Sequence, residues 1–361
     1  MKKLRVLFVC LILTGCISSP NLWGSELSLN LAATPSIVET ATSALTQTVT
    51  PSPTAILSPS PTAKVEGVLP EPTATPLPEE IKRVLIISYD GMRPDAIAAA
   101  PMDNLLELIK TSAYTLTNAT TVAYPSTLPS HAAMLSGLCM AKNGIIYDRY
   151  YKYMGYSKGV DIFDLAHAAG MRTVMVVSKD KLRQLAEPET TDVFEVRYGE
   201  SAVSKEAVAQ ISQGFGLMFV HFAGADLRGH KYGWMSDAQF TVLREGDEAL
   251  GNILTALDEN GLRNSTLIIV TADHGGHDRN HTGVVDEDFH IPWIASGPGI
   301  IPGEITALLQ TMDTAATAAY ALGLPQQADW DGIPVYEAFG EPRLKIHPES
   351  VQWPCHQWND H

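Results

Sequence analysis

At 361 residues the chain can form one large domain or two small ones, and its 45% hydrophobic content is enough for a sizeable core. Its net charge of −15 argues against binding a nucleic-acid polymer, because nothing basic is available to track a phosphate backbone. A small phosphorylated ligand would have to be held by metal ions or by a local cationic group.

The N-terminus has the pattern of a targeting segment. Lys2, Lys3 and Arg5 precede the apolar run Val6–Leu13, which is too short to span a membrane as a finished helix. The segment ends Leu13-Thr14-Gly15-Cys16, which resembles the bacterial lipoprotein signal. That resemblance implies cleavage after residue 15, lipid attachment at Cys16 and an extracytoplasmic protein anchored to the bacterial cell membrane. An ordinary secretory signal would also take the chain out of the cytoplasm. Residues 1–15 hold three basic residues and no acid, so their removal takes the net charge from −15 to −18. Cys139 and Cys355 then remain, either as one disulfide or as two buried thiols. No Cys-x-x-Cys pair is present, so a metal site here must use nitrogen and oxygen ligands.

Residues 16–80 are rich in Pro, Thr, Ser and Ala, with the near repeats Pro51-Ser52-Pro53-Thr54 and Pro59-Ser60-Pro61-Thr62. Such a stretch cannot bury enough apolar surface to fold, and its prolines favour an extended spacer. It is expected to be a disordered stalk, with Ser/Thr content that permits O-glycosylation. The folded domain is expected over 81–342. Strands are predicted at Arg83–Ser88, Ala113–Ala119 (or an extended segment), Arg172–Ser178, Asp192–Val196, Leu217–Phe222, Thr266–Ala272 and Ile291–Ala295. Helices are predicted at Asp103–Lys110, from the Thr127–His131 stretch to Ser136, at Val160–Ala169, Ser204–Ser212, Ser236–Glu259 and Met312–Leu322. Strands alternating with helices predict an α/β fold with a mostly parallel central sheet and helices on both faces. The tail, 343–361, carries Trp353 and Trp358 with no clear period and is assigned no role.

The stretch Thr266–His281, TLIIVTADHGGHDRNH, organises the rest. An unalternating β-branched run suits a strand buried on both faces, and it stops abruptly at Asp273-His274. Asp90 and Asp226 also follow predicted strands, so three carboxylates are expected along the sheet edge where α/β proteins bind ligands. His230 lies four residues after Asp226, and His281 eight after Asp273. Carboxylates converging in one cleft repel unless cations neutralise them, and three Asp with three His can serve two metal ions.

Asp90-Gly91-Met92-Arg93, Thr127-Leu128-Pro129-Ser130-His131, Asp226-x-x-x-His230, Asp273-His274-Gly275 and His281, in that order, resemble the alkaline phosphatase superfamily, in particular its nucleotide pyrophosphatase/phosphodiesterase branch. The resemblance implies one zinc held by Asp90, Thr127, Asp273 and His274, and a second held by Asp226, His230 and His281. Manganese or iron can also occupy such nitrogen and oxygen sites. It implies Thr127 as the nucleophile, in register with Thr-x-Pro-x-His, passing through a phosphothreonine; Ser126 is the weaker alternative. A helix start favours a phosphoryl anion there. Among His277, His281 and His290 the order of motifs favours His281. His277 is a candidate supporting partner, His290 a core or strand-edge residue, His131 a helix-face packing residue, and His221, inside a strand, a satisfied buried histidine.

One departure concerns Asp148, which stands where nucleotide-cleaving relatives place a phosphate-binding Asn. An ionised Asp cannot donate a hydrogen bond and repels phosphate unless it is protonated, pairs with Arg149 or points away. Tyr147 to Tyr153 can form an aromatic and cationic rim over the site, with Tyr147 and Asp148 as substrate-binding candidates, or can be an exposed hairpin. The expected function is a two-zinc phosphohydrolase, foremost a phosphodiesterase or nucleotide pyrophosphatase acting on a small phosphorylated substrate. The alternatives are a phosphomonoesterase on the same scaffold and a stalked surface-binding protein with a structural metal site. No Cys-x-Pro-x-Arg motif supports sulfatase chemistry.

Overall fold

The computed structural model describes residues 80–342. The expected targeting segment, Cys16, nearly all of the stalk, Cys355 and the C-terminal tail lie outside the described residues. Among the described residues no helix is long and apolar enough to cross a membrane. Cys139 is buried.

Ten strands follow in chain order: β1 (Arg83–Tyr89), β2 (Ala113–Thr115), β3 (Ala119–Thr120), β4 (Thr173–Val177), β5 (Val193–Val196), β6 (Leu217–Phe222), β7 (Thr266–Thr271), β8 (Trp293–Ser296), β9 (Gly303–Glu304) and β10 (Leu309–Gln310). Eight of them form one sheet in the order β5-β4-β6-β1-β7-β8-β2-β9, and β10 pairs with β3 separately. β1 sits between β6 and β7 and is parallel to both. Val84, Leu85, Ile86 and Ile87 are fully buried, as are Leu217–Val220 and Ile269–Val270. Burying each such side chain contributes roughly 1.5–3 kcal/mol, which explains why these apolar runs need no alternation.

Two groups of helices cover the sheet, as the alternation predicted. Asp103–Ile109, Glu200–Ser212 and Asp237–Glu259 pack together, and Thr127–Ser136, Ile162–Ala168 and Asp313–Ala321 form the other group. The long helix Asp237–Glu259 is capped by the Ser236 hydroxyl, which accepts from the Gln239 N–H at 3.3 Å. Asp161 and Asp164 form a reciprocal capping box that starts the helix at Ile162 rather than Val160. The expected strand Ala113–Ala119 divides into β2 and β3, because the Thr115 hydroxyl accepts from the Thr117 and Asn118 N–H groups and turns the chain.

Two departures bear on the site. β8 runs antiparallel to both neighbours. The stretch between β7 and β8 carries no crossover helix long enough to return the chain to the other end of the sheet, so the next strand runs back. The segment after β6, for which no element is predicted, is a helix over Gly224–Tyr232. Asp226 therefore lies in its first turn, and His230 follows on the same face at i+4.

Candidate active site

The carboxyl ends of β6, β1 and β7 lie side by side and deliver the three acids. Asp90 follows β1, Asp273 follows β7, and Asp226 begins the helix after β6; all three are buried. Backbone bonds fix their spacing. Asp273 Oδ1 accepts from the N–H groups of Gly91 (3.0 Å) and His274 (2.9 Å), and the Asp226 N–H donates to the Asp90 carbonyl at 2.9 Å. Gly91 turns the chain with φ +73°, and a Cβ there would stand 3.0 Å from the Asp226 Cα. The sharp turn and the close approach both require glycine.

The three histidines share one arrangement. The Nδ1 of His230 faces the Arg279 carbonyl at 2.9 Å, that of His274 the Gly275 carbonyl at 2.8 Å, and that of His281 the Pro125 carbonyl at 2.6 Å. A carbonyl can only accept, so each Nδ1 carries a proton and each ring turns its Nε2 inward, where a neutral imidazole offers a lone pair. The Trp234 indole stands beside His230 and His281, at 5.2 and 5.9 Å between ring centroids, and donates to the Gly91 carbonyl at 2.9 Å. It packs so closely on Gly276 that a Cβ there would come within 2.2 Å of the ring. The second glycine of Asp-His-Gly-Gly is thus a packing requirement.

The inward atoms converge. His230 Nε2 and His281 Nε2 are 3.1 Å apart and lie 3.3 and 3.6 Å from Asp226 Oδ1. His274 Nε2 lies 3.5 Å from Asp90 Oδ1 and 3.4 Å from Asp273 Oδ2. Among the described residues, Asp90 Oδ1, Asp226 Oδ1, Asp273 Oδ2 and His274 Nε2 are buried without a hydrogen-bond partner. Leaving one such atom unpaired costs roughly 1–3 kcal/mol, and four in one place call for a missing partner. Two donors about 2.0–2.1 Å from one tetrahedral ion stand about 3.3 Å apart, close to the spacings seen here. Asp226, His230 and His281 form one candidate metal-binding group, and Asp90, Asp226 and His274 another. Asp226 therefore belongs to both, where the motifs alone assigned it to one.

The electrostatics agree. Burial, and then the neighbouring Asp90, pushes Asp273 well above the usual carboxylate range. Burial works against charge on Asp90 as well, yet Lys179 and His221 hold it well below that range. For Asp226, burial and Asp90 are overcome by Lys179 and His230, and the net shift is downward. Burial, with His274, lowers His281 to about 4 and keeps it neutral. The adjacent Asp226 carboxylate raises His230.

Thr127 is the first residue of the helix Thr127–Ser136, is only 1% exposed, and turns its hydroxyl toward these acids rather than capping the helix. The Lys179 ammonium donates to Thr127 Oγ1 at 3.0 Å and to Asp226 Oδ2 at 2.6 Å, and lies 2.8 Å from Asp90 Oδ2. The Ser126 hydroxyl makes no capping bond. Lys179 sits just past β4, next to β6; the motif spacing does not point to it. The available signal was a charged residue directly after a wholly buried strand. Attraction to Asp90 and Asp226 outweighs its burial and raises its pKa.

The supporting residues fall into place around this cluster. His221 is a satisfied buried histidine as expected, and its role is to hold Asp90. Its Nδ1 accepts from the Ser178 N–H at 3.2 Å, so its Nε2–H donates to Asp90 Oδ2 at 2.8 Å. His131 is bonded to the Thr127 carbonyl (2.7 Å) and the Ser88 hydroxyl (2.8 Å) and packs within the helix face. His277 pairs with Asp288 at 2.7 Å, and His290 bridges to Thr120 at a strand edge. Asp148 pairs with Lys181 at 2.7 Å, not with Arg149, and its other oxygen accepts from the Leu128 N–H at 2.9 Å. Lys181 reaches it because the segment after β4 passes beside the start of the Thr127 helix. Tyr147 packs edge-on against Tyr151 at 5.3 Å, and Tyr151 is tilted against Tyr153 at 5.6 Å, so the tyrosines form a small ladder next to Asp148 in the chain.

The sequence model of the type I phosphodiesterase / nucleotide pyrophosphatase family matches residues 84–319. The chain is 24% identical over 227 residues to the bis(5′-adenosyl)-triphosphatase enpp4 of Mus musculus, an alignment covering 57% of this chain and 50% of that protein. It is 28% identical over 122 residues to arylsulfatase K of Xenopus laevis, covering 30% of this chain and 23% of that one. The chain thus spans about half or less of the length of these curated relatives. Among solved structures, murine ectonucleotide pyrophosphatase/phosphodiesterase 5 superposes with a TM-score of 0.59 at 15% identity, covering 72% of this chain and 99% of that one. The 2-O GAG sulfatase BT1596 superposes with a TM-score of 0.61 at 19% identity, covering 74% and 76%. These likenesses carry the fold.

Proposed function

Since the chain belongs to the type I phosphodiesterase / nucleotide pyrophosphatase family, we propose that it is a metal-dependent phosphoric ester hydrolase, foremost a phosphodiesterase or nucleotide pyrophosphatase, with Thr127 as its nucleophile. Asp226, His230 and His281 would hold one divalent ion, and Asp90, Asp273 and His274, with Asp226 close by and Thr127 beside them, a second. The mixed imidazole and carboxylate set suits zinc; manganese or iron would also fit. When bound, such ions neutralise developing oxyanions and lower the pKa of a hydroxyl or water.

The chain's own residues supply the rest. Helix geometry holds Thr127 Oγ at the acid cluster, with its hydrogen bond to Lys179 favouring loss of the hydroxyl proton. Oγ forms a bond to phosphorus as the bond to the leaving oxygen breaks, and the leaving group departs with that electron pair. Water then adds to phosphorus, and Oγ leaves and regains a proton. His221 keeps Asp90 ionised and oriented throughout.

The observation that supports the reading most is the convergence of four partnerless buried donor atoms beside a buried threonine hydroxyl. The test is hydrolysis of a bis-aryl phosphate and the matching monoester by the protein with zinc, with chelator, and as Thr127→Ala. Turnover lost in both controls is expected; turnover that survives Thr127→Ala removes the nucleophile. We also propose extracytoplasmic anchoring through a lipid on Cys16. Cys16→Ala is then expected to release the protein from the membrane fraction, and retention there would contradict it.

A further inference from the structure

We propose that Lys179 makes this site select phosphoryl groups carrying two negative charges, such as terminal phosphates and monoesters, over the singly charged phosphorus of a diester. The proposal rests on the reading of Thr127 as nucleophile and, within it, favours the phosphomonoesterase alternative on the same scaffold over the diesterase.

The lysine engages only one oxygen of each aspartate. Its Nζ lies 2.6 Å from Asp226 Oδ2 and 2.8 Å from Asp90 Oδ2. The partnerless atoms are the opposite oxygens, Asp226 Oδ1 and Asp90 Oδ1, which face the histidines. Lys179 and the metal ions therefore use different lone pairs and can be present together. The lysine is not a stand-in that leaves when metal arrives.

Its charge then exceeds what the carboxylates need. With two divalent ions bound, all three aspartates would be ionised, and with the Thr127 alkoxide they carry four negative charges against four positive, which leaves the site neutral. Lys179 raises this to +1, and at a given distance one positive charge attracts a dianion about twice as strongly as a monoanion. The Lys179 side chain is only 14% exposed, so solvent and salt screen its charge weakly. Its third contact, 3.0 Å to Thr127 Oγ1, puts it at the atom that attacks phosphorus, within reach of a non-bridging oxygen on a phosphoryl group held there.

The surroundings preserve this excess. Asp148 would otherwise set a negative charge at the start of the same helix, but Lys181 cancels it at 2.7 Å and the Leu128 N–H occupies its second oxygen. The segment Ser178-Lys179-Asp180-Lys181 thus contributes one ammonium that offsets an unfavourable carboxylate and one that is surplus.

The test compares kcat/KM for 4-nitrophenyl phosphate and bis(4-nitrophenyl) phosphate in the wild type, Lys179→Met and Lys179→Arg, together with inhibition by orthophosphate and by dimethyl phosphate. Lys179→Met is expected to lower the monoester-to-diester ratio by about tenfold or more, less than the roughly 10²–10³ for losing a whole oxyanion donor because only the difference between the two esters is read. It should weaken orthophosphate inhibition by a similar factor and dimethyl phosphate inhibition clearly less. Lys179→Arg should keep the ratio within a few-fold. Equal losses on both esters would mean that Lys179 only positions Thr127, and would overturn the proposal. If Lys179→Met does not fold, a collapsed ratio in folded Lys179→Arg, or wild-type protein that binds dimethyl phosphate as well as orthophosphate, overturns it too. If the wild type turns over neither ester, the assignment of function fails. Calorimetric binding of orthophosphate and dimethyl phosphate then still decides the charge preference.

Discussion

On the side of the site that holds His274, His230 and His281, four buried metal-ligating atoms, Asp90 Oδ1, Asp226 Oδ1, Asp273 Oδ2 and His274 Nε2, lack hydrogen-bond partners; on the Lys179–Asp148 side, the carboxylate oxygens are each paired with an N–H donor from the chain itself. The same aspartates contribute to both sides, one oxygen to each. A buried carboxylate is costly wherever it sits, and the two sides meet that cost differently. One side has no side chain to meet it and so indicates an ion that must be supplied. The other carries built-in ammonium groups and so has a permanent charge independent of metal. Orphaned atoms indicate what binds; paired ones indicate what the site is charged to receive.

The largest expected effect is the loss of the group between the two halves. Thr127→Ala should reduce kcat on the order of 10³-fold or more while leaving metal content unchanged. If metal content falls as well, Thr127 is a ligand before it is a nucleophile. On the unsatisfied side, the purified protein should carry two divalent ions per chain, and His281→Ala one, as read by elemental mass spectrometry. An unaltered count would move His281 out of the ligand set. At the seam between the halves, His221→Ala removes the donor that orients Asp90. Metal affinity should weaken roughly 10–100-fold in competition with a chelator, with the protein still folded. The smallest effect belongs to the satisfied side. Asp148→Asn keeps the bond from the Leu128 N–H but leaves Lys181 uncompensated, so KM for an anionic ester should fall by a few-fold, and less so at high salt. A rise in KM would show that Asp148 contacts the substrate directly.

How much of this could be read in the sequence follows the range of the interactions. β1, β6 and β7 were legible because unbroken apolar runs ending in an acid leave little choice of structure. The inward-facing Asp273, His274 and His281 were legible because their motif is local. The helix Gly224–Tyr232 was not, because Gly224, Gly229 and Gly233 weaken the helical signal, and Gly229 is retained for its packing on Trp234. The reversal of β8 depends on what the preceding loop must enclose, which periodicity does not register. Asp148 stood out, but its partner lies 33 residues away on another segment, so the local reading offers protonation, pairing with Arg149 or turning away, and not Lys181. Lys179 was missed for the same reason. Its meaning comes from Asp90, Thr127 and Asp226, each distant in the chain and brought to it only by the sheet order.

The most direct measurement is to quench the zinc-loaded protein with acid during turnover of an aryl phosphate and to map the peptides by mass spectrometry. The account predicts the mass of one added phosphoryl group on the peptide containing Thr127, formed in the wild type and absent in Thr127→Ala together with turnover. Turnover that persists in Thr127→Ala, or an adduct on Ser126 instead, would contradict it.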